Sequence, residues 1–493
     1  MMSVHNDLPR PESPVSPRHS FDVHLDVDSS TSHAEAKEVR RGPISLLLLG
    51  DFSGRGAGSP MLSGSVGAHK IDRDVVDDLM AAFAPMARLA DGSELRFSSL
   101  DELHPDELMG RVARVGAILD GRERAVDVPV PPSGSDALPA TDAAPASDAG
   151  LLDQILGGSG DDSPASAARP DAGAPIGSIR AFAAEAARFD SVAEPSAQAK
   201  AESASREARA ADALREVLRE PSFRALERRW RGVDFLVRQL DTGPDLHVYL
   251  ADLSREAIRA ELDDEGGLEA SALRGLLSGG AGPEKNPWSF VVMMDGTFGV
   301  GVDDQLLLAW ITGLCAAYGA TALVDGEPAL AGIPTLDDFD DRMSWRAPDV
   351  GWEAFRAQPE AGSLGVCLPG FLLRDPYGPG SNPVDGAPLA EVRGRPSRDD
   401  YVWGGAAVAC AIVVAREAVG DGGGLPDTAI TGLPLHTWRA GVDSGTVCGA
   451  AAMTDEAAKR LLASGITPAA WMRASDSVRL LLPRTVTGTP LVG

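Results

Sequence analysis

Several things are scarce in this 493-residue chain, and each scarcity removes a class of protein. It has 4 cysteines. Cys315, Cys367, Cys410 and Cys448 lie far apart, each in or beside an apolar stretch, with no Cys-x-x-Cys spacing of the kind zinc and redox sites use. They read as buried free thiols of a reducing compartment. The segment Met1 to Arg10 has no apolar core, so a cleaved signal is not expected. The longest uncharged apolar run, Trp403 to Ala415, falls short of the ~20 residues that span a bilayer. Positive charge is also short: 45 Lys and Arg stand against 72 Asp and Glu, a formal charge of −27, with no basic block to offset it. Phosphate backbones and anionic membrane surfaces attract clustered Lys and Arg, so neither nucleic acid nor membrane insertion is expected. The chain reads as soluble and cytoplasmic, and its length suits two to four domains.

Aromatic residues are missing from 98 to 181, and Lys and Arg are missing from 125 to 168, where Pro, Ala, Ser, Gly and Asp dominate. Such a segment buries too little apolar surface to offset its ordering entropy, so 129–175 is read as a disordered acidic linker. On either side the patterns predict a mixed α/β fold. Residues 1–128 form a smaller module. It contains an alternating strand from Phe21 to Val27, a strand Ile44 to Leu49 apolar enough to be buried on both faces, a strand near Glu94, and helices over 72–83 and 105–119. Residues 176–493 form a larger one. It opens on an Ala-rich helical stretch, and beyond Pro221 the residues Leu226, Trp230, Val233, Val237 and Leu240 lay one apolar seam along a helix. Strands at 246–250 and 288–294 follow, with Ser254 and Asp303 as expected helix caps.

No catalytic constellation emerges. The glycine-rich Gly50-Asp-Phe-Ser-Gly-Arg-Gly-Ala-Gly58 follows a strand but lacks the Gly-Lys-Ser/Thr ending of a phosphate loop, so a structural turn is the better reading. The eight histidines never pair at metal-ligand spacing, and no cofactor or metal is expected. The arginines at 224, 228, 229 and 231 surround the apolar seam in an otherwise acidic protein. They form either a solvated helix face or an electrostatic contact with an acidic neighbour.

Several blocks resemble the contractile sheath of the bacterial type VI secretion system. The first part is similar to the small sheath subunit through Leu46-Leu-Leu-Leu-Gly-Asp-Phe-Ser-Gly-Arg55, with Gly50, Asp51, Phe52, Gly54 and Arg55 as motif residues, then Lys70 to Met80 and Leu95 to Pro105. The second resembles the large subunit through Pro221 to Val233, with Trp230, Arg231 and Gly232, through Arg374-Asp-Pro-Tyr-Gly378, with Arg374, Pro376, Tyr377 and Gly378, and through Trp403 in Tyr401-Val-Trp-Gly-Gly. The resemblance implies a small–large fusion. It implies a structural role: a subunit of the helical tube that contracts to propel an inner tube, with no enzymatic activity. The implied partners are other sheath protomers, the inner tube protein, baseplate components and an AAA+ recycling unfoldase.

Two segments acquire roles from the same resemblance. Phe21, Val23, Leu25 and Val27 are expected to form an inter-protomer strand. Leu151, Leu152, Ile155 and Leu156 share one helical face and are expected to form the short helix that the unfoldase recognises, or else a helix docking on its own domain. Two departures accompany it. Pro369-Gly370 stands where the family has Pro-Arg, and the large subunit's C-terminal region is expected to be absent. The alternative is therefore a non-contractile accessory of the same machine, a cap, adaptor or assembly regulator.

Overall fold

The computed structural model describes residues 43–56, 66–121, 196–262, 271–420, 427–472 and 475–491. The expected strand at Phe21, Val23, Leu25 and Val27 and the expected helix at Leu151, Leu152, Ile155 and Leu156 lie outside these residues. Contacts divide the chain into two units, 1–116 with 207–493, and 117–206. The described residues of the second are the end of one helix and the start of another.

In chain order the first strands are β1 (Ile44–Gly50) and β2 (His69–Ile71), followed by helix α1 (Val76–Phe83). A hairpin of β3 (Met86–Arg88) and β4 (Glu94–Arg96) leads to helices α2 (Pro105–Arg111) and α3 (Ala113–Leu119). The single helix expected over 105–119 is thus two, because Val112 leaves the helical region at φ −85° and ψ 105°. After α4 (Ala197–Arg219) and α5 (Pro221–Gln239) come β5 (Leu246–Asp252), α6 (Arg255–Leu262), α7 (Ala272–Gly279) and β6 (Phe290–Met293). Then follow α8 (Val302–Ala317), β7 (Thr321–Asp325), α9 (Val350–Arg356), β8 (Leu364–Leu368), β9 (Phe371–Leu372), β10 (Trp403–Gly404) and α10 (Ala406–Val419). The last elements are β11 (Ala429–Ile430), β12 (His436–Ala440), β13 (Asp443–Val447), α11 (Asp455–Ala463), β14 (Ile466–Trp471) and β15 (Val478–Leu480).

Nine strands make one mixed sheet in the order β11-β15-β14-β8-β7-β6-β1-β5-β2. The six from β14 to β5 are parallel, and antiparallel β15 and β2 flank them. β1 lies inside the sheet, third from its β2 edge. It pairs along its full length with β5, Ile44 opposite Leu246 through Gly50 opposite Asp252, and on its other side Leu46 to Leu49 pair with Phe290 to Met293. The segments before and after 129–175 therefore share one sheet.

The uninterrupted apolar sequence of β1 follows from this place. Leu47 and Leu49 join a core with α6, α7 and α8 on one face. Leu46 and Leu48 alternate to the other, where α10 packs across β1, β6, β7 and β8. All four leucines are fully buried.

A side-chain cap is found at one of the two expected helix starts. The Ser254 hydroxyl accepts from Ala257 N at 2.9 Å, as a capping serine does. Asp303 does not cap α8: Gly301 occupies that position, Asp303 sits in the first turn paired with Arg259 at 2.8 Å, and the Asp304 carboxylate accepts from Gly299 N at 2.8 Å. The run Trp403 to Ala415 becomes β10 and the buried α10, and among the described residues no helix is long and apolar enough to cross a membrane.

All four cysteines are buried and free. Burial pushes the thiols of Cys315 and Cys448 up to about 12. Cys367 is raised too, by its hydrogen bond with Cys410 and by burial. Since the thiolate is the reactive form, a maleimide should label no cysteine of the native chain and four per chain after unfolding. Native labelling of any one at the rate of a free thiol would contradict this packing.

Candidate functional site

The parallel strands end in a row of carboxylates: Asp51 just past β1, Asp252 closing β5, Asp295 just past β6 and Asp325 closing β7. In open α/β sheets the crevice at the carboxyl ends, where strand order reverses, is the usual place for a ligand. Here the reversal falls at β1, between β5 and β6, and the chain's own α5 fills it. The Arg229 guanidinium bonds the Asp295 carboxylate and donates to Asp51 O at 2.8 Å. Arg228 pairs with Asp325 at 3.0 Å. Between them the fully buried Trp230 donates its indole N–H to Phe52 O at 3.0 Å and meets the Phe52 ring edge-on.

Backbone N–H groups complete the neutralisation. Asp295 accepts from Asp51 N at 2.9 Å and from Arg255 N at 3.3 Å, and Asp252 accepts from Ser53 N at 3.0 Å. Asp51 accepts from Arg55 N at 2.9 Å and Gly56 N at 3.1 Å. Burial pushes the carboxyls of Asp51 and Asp325 up, against the pull of Arg229 and Arg228 respectively. Each carboxylate of the row is engaged by an arginine or by backbone, so the arrangement holds α5 against the strand ends.

A second cluster lies on the other side of α5. Arg374 is almost entirely buried between Glu227 and Glu391. It grips Glu227 through Nε at 2.7 Å and Nη2 at 3.2 Å, and Glu391 through Nη1 at 2.7 Å and Nη2 at 3.0 Å. Arg231 adds a 2.8 Å bond to Glu227 and a 3.1 Å bond to the Tyr377 hydroxyl. The Tyr377 ring lies 4.2 Å below the Arg374 guanidinium carbon, and Tyr377 N donates to Glu391 at 2.9 Å. Burial alone would raise Glu227, yet Arg374 and then Arg231 overcome it and hold the carboxylate at about 2. The two flanking carboxylates likewise raise Arg374 against its own desolvation.

The motif residues divide accordingly. Asp51, Phe52, Trp230, Arg231, Arg374 and Tyr377 belong to these two clusters. Gly50 and Gly232 both pass close to Met294, 3.2 and 3.1 Å from where a Cβ would stand. Gly54 adopts φ +71°, and a Cβ there would lie 2.0 Å from Met86 O, so the segment after β1 is a tight turn that admits only glycine at this point. Arg55 is exposed, and its backbone rather than its side chain serves the Asp51 turn. Pro376 and Gly378 are buried in the loop around Tyr377, where Gly378 N donates to Asn382 O at 2.8 Å. Trp403 stands apart, donating to Arg398 O at 2.9 Å beside a cavity of about 380 Å³ that Arg228 and Asp325 also line. Gly370, on the rim of the same cavity, is constrained by β9 and β10: a Cβ there would stand 2.3 Å from Gly404 O.

Arg228, Arg229 and Arg231 therefore pair with carboxylates of their own chain, whereas Arg224 donates to the backbone carbonyls of Asp399 and Tyr401. Sequence reasoning missed the partners Glu227, Asp295, Asp325 and Glu391. The available signal was the density of arginine on one helix of an acidic protein, since the partners come from 66 to 147 residues away along the chain in the cases of Asp295, Asp325 and Arg374. Among the described residues no group of three or more His, Cys, Asp or Glu is arranged to hold a metal ion.

The chain is similar to the type VI secretion system sheath protein TssC1 of Pseudomonas aeruginosa, 22% identical over 241 residues, which cover 45% of this chain and 47% of the relative. The match thus spans about half the length of that relative. The family VipB, described as EvpB/VC_A0108, tail sheath N-terminal domain, matches residues 205–482, from α4 to the end of the sheet and including Trp230, Arg374 and Tyr377. Since that match covers more than half of its residues, the chain belongs to the VipB tail sheath family.

Proposed function

We propose that this chain is a structural protomer of a type VI contractile sheath, in which a small-subunit-like part, residues 1–128, and a large-subunit-like part, 176–493, are joined by 129–175. The observation that carries the reading is the place of β1. It precedes the VipB-matched region, yet it fills the slot between two of that region's strands, β5 and β6. A strand supplied by one part to the interior of the other's sheet is what an obligate two-subunit protomer requires, and fusion makes the supply intramolecular. The self-neutralised row of carboxylates supports a holding role rather than catalysis.

In this role the protein assembles with further copies around an inner tube, on a baseplate, in the cytoplasm. Phe21, Val23, Leu25 and Val27 would pair with a neighbouring protomer, and Leu151, Leu152, Ile155 and Leu156 would be the apolar anchors read by a recycling AAA+ unfoldase.

Cutting the chain tests the fusion. With a protease site introduced between 129 and 175, the two fragments should co-elute after cleavage as a 1:1 complex under native conditions and separate only in denaturant. Fragments that part at neutral pH without denaturant would remove the two-subunit reading.

A further inference from the structure

One carboxylate beside the Arg374 cluster is left without a cation. Asp375 is half-buried, and its Oδ1 is shielded from solvent with no hydrogen-bond partner. Folded proteins satisfy nearly all such atoms, and an orphaned charge is costly to keep. Among the described residues the nearby arginines are committed elsewhere. Arg374 reaches Asp375 only at its backbone carbonyl, Nη1 to O at 3.2 Å, and divides its other bonds between Glu227 and Glu391. Arg231 serves Glu227 and the Tyr377 hydroxyl, and Arg224 donates to the carbonyls of Asp399 and Tyr401.

Asp375 also lines a cavity of about 420 Å³ between the loop 375–381 and the start of β12. Sites for small ligands occupy roughly 300–1,000 Å³. Pro376, Pro379, Val392 and Leu435 give this one apolar walls, and among the described residues no lysine or arginine lines it. The Tyr377 hydroxyl is taken by Arg231, and the Ser381 hydroxyl donates to Pro376 O. His436, also in the wall, brings no charge at neutral pH: burial lowers its pKa, and its Nδ1 shares a 2.8 Å hydrogen bond with the Tyr401 hydroxyl. One unpaired anion among apolar walls matches a ligand with a cationic head on an alkyl stem.

We propose that this cavity is a binding site for an alkyl cation, the chemistry carried by lysine and arginine side chains. The stem lies against Pro376, Pro379 and Leu435, and the ammonium or guanidinium bonds the Asp375 carboxylate. With Oδ1 walled off, the contact is made through Oδ2. The site stands whether or not the chain is a sheath protomer.

The test uses the full chain, wild type and Asp375→Asn. The probes are N-acetyl-lysine amide, N-acetyl-arginine amide, n-butylammonium and, as the uncharged control, N-acetyl-norleucine amide. A ligand of the folded state raises the melting temperature by mass action, so the wild type should respond saturably to the cations and not to the control. In Asp375→Asn the apparent affinity should fall about tenfold or more, the worth of a hydrogen bond to a charged group. The substitution changes the formal charge of −27 by one unit, so diffuse attraction of cations to an acidic chain would survive it. Without probe the variant should melt no lower than the wild type, because asparagine discards a charge that has no partner. Amides that bind more tightly than n-butylammonium identify a residue of a polypeptide as the ligand, and n-butylammonium binding as tightly or better identifies a free amine. A wild type that does not respond, a control that matches the cations, a response unchanged in Asp375→Asn, or a variant that melts lower would each overturn the site.

Discussion

Arg374→Met should cost the fold about 3–5 kcal/mol, the range found when one partner of a buried ion pair is removed and its counter-charges stay behind. Two carboxylates stay behind here, since Arg374 alone separates the fully buried Glu227 from Glu391. Methionine roughly preserves the volume of the arginine stem, so the loss reports charge more than cavity. The pH dependence identifies the cause. In the wild type Glu227 is held at about 2, below its ordinary 4.5, so its contribution to stability is fully present above pH 4.5 and is lost as pH falls from there toward 2. In the variant the same carboxyl keeps the burial and loses its main cation, so its folded-state pKa moves above the ordinary value and the penalty is relieved by protonation. The gap between wild type and Arg374→Met should therefore be widest at neutral pH, begin to close as pH falls through the variant's raised value above 4.5, and go on closing toward 2. Urea midpoints at pH 7, 5 and 4 measure it. A gap that is constant across this range would assign the loss to packing, and a gap that widens on acidification would contradict the charge arrangement.

Leu48→Asp should abolish the folded state of both parts of the chain. Leu48 is fully buried, opposite Leu250 on one side and Val292 on the other, on the sheet face that α10 covers. An ionised carboxylate there has no cation to meet, and the penalty of several kcal/mol is comparable with the roughly 5–15 kcal/mol that holds a whole domain folded. Because β1 joins β5 to β6, losing it splits the sheet within the VipB-matched region, although residue 48 lies outside that region. Tryptophan emission is informative, since Trp230, Trp288 and Trp352 are all fully buried and all lie beyond the 129–175 stretch. The variant should show the emission of exposed tryptophan and no cooperative melt. A wild-type-like melt of 205–482, with only the preceding residues sensitive to protease, would mean that β1 is dispensable to the larger part.

Trp230 shows where sequence pattern and tertiary structure part company. The 4, 3, 4, 3 spacing of Leu226, Trp230, Val233, Val237 and Leu240 identifies a helix and its buried face without further information, because helical periodicity is local, and all five are buried, the first four in α5 and Leu240 just past its end. The same holds for the leucines of β1, whose unbroken run already requires cover on both sides. What covers them is not local. That β1 lies between β5 and β6, some 200 residues later in the chain, depends on strand pairing, and strand pairing carries no short-range signature beyond apolar character.

Charge follows the same division. Composition alone establishes an acidic protein with arginine concentrated on one helix, and leaves open whether that helix face is solvated or meets an acidic neighbour. Which carboxylates answer, and that they belong to the same chain, is decided by four parallel strands ending side by side and by the loop that carries Arg374 back against Glu227. Backbone hydrogen bonding sets the strand ends in register, and only then do Asp51, Asp252, Asp295 and Asp325 become neighbours. The sequence by itself determined the periodicities, the turn at Gly54, the buried thiols and the family's motif residues, since each depends on a few adjacent positions. The tertiary structure decided the partners of every buried charge and the unity of the sheet, since these depend on long-range pairings that bring distant residues within a few ångströms.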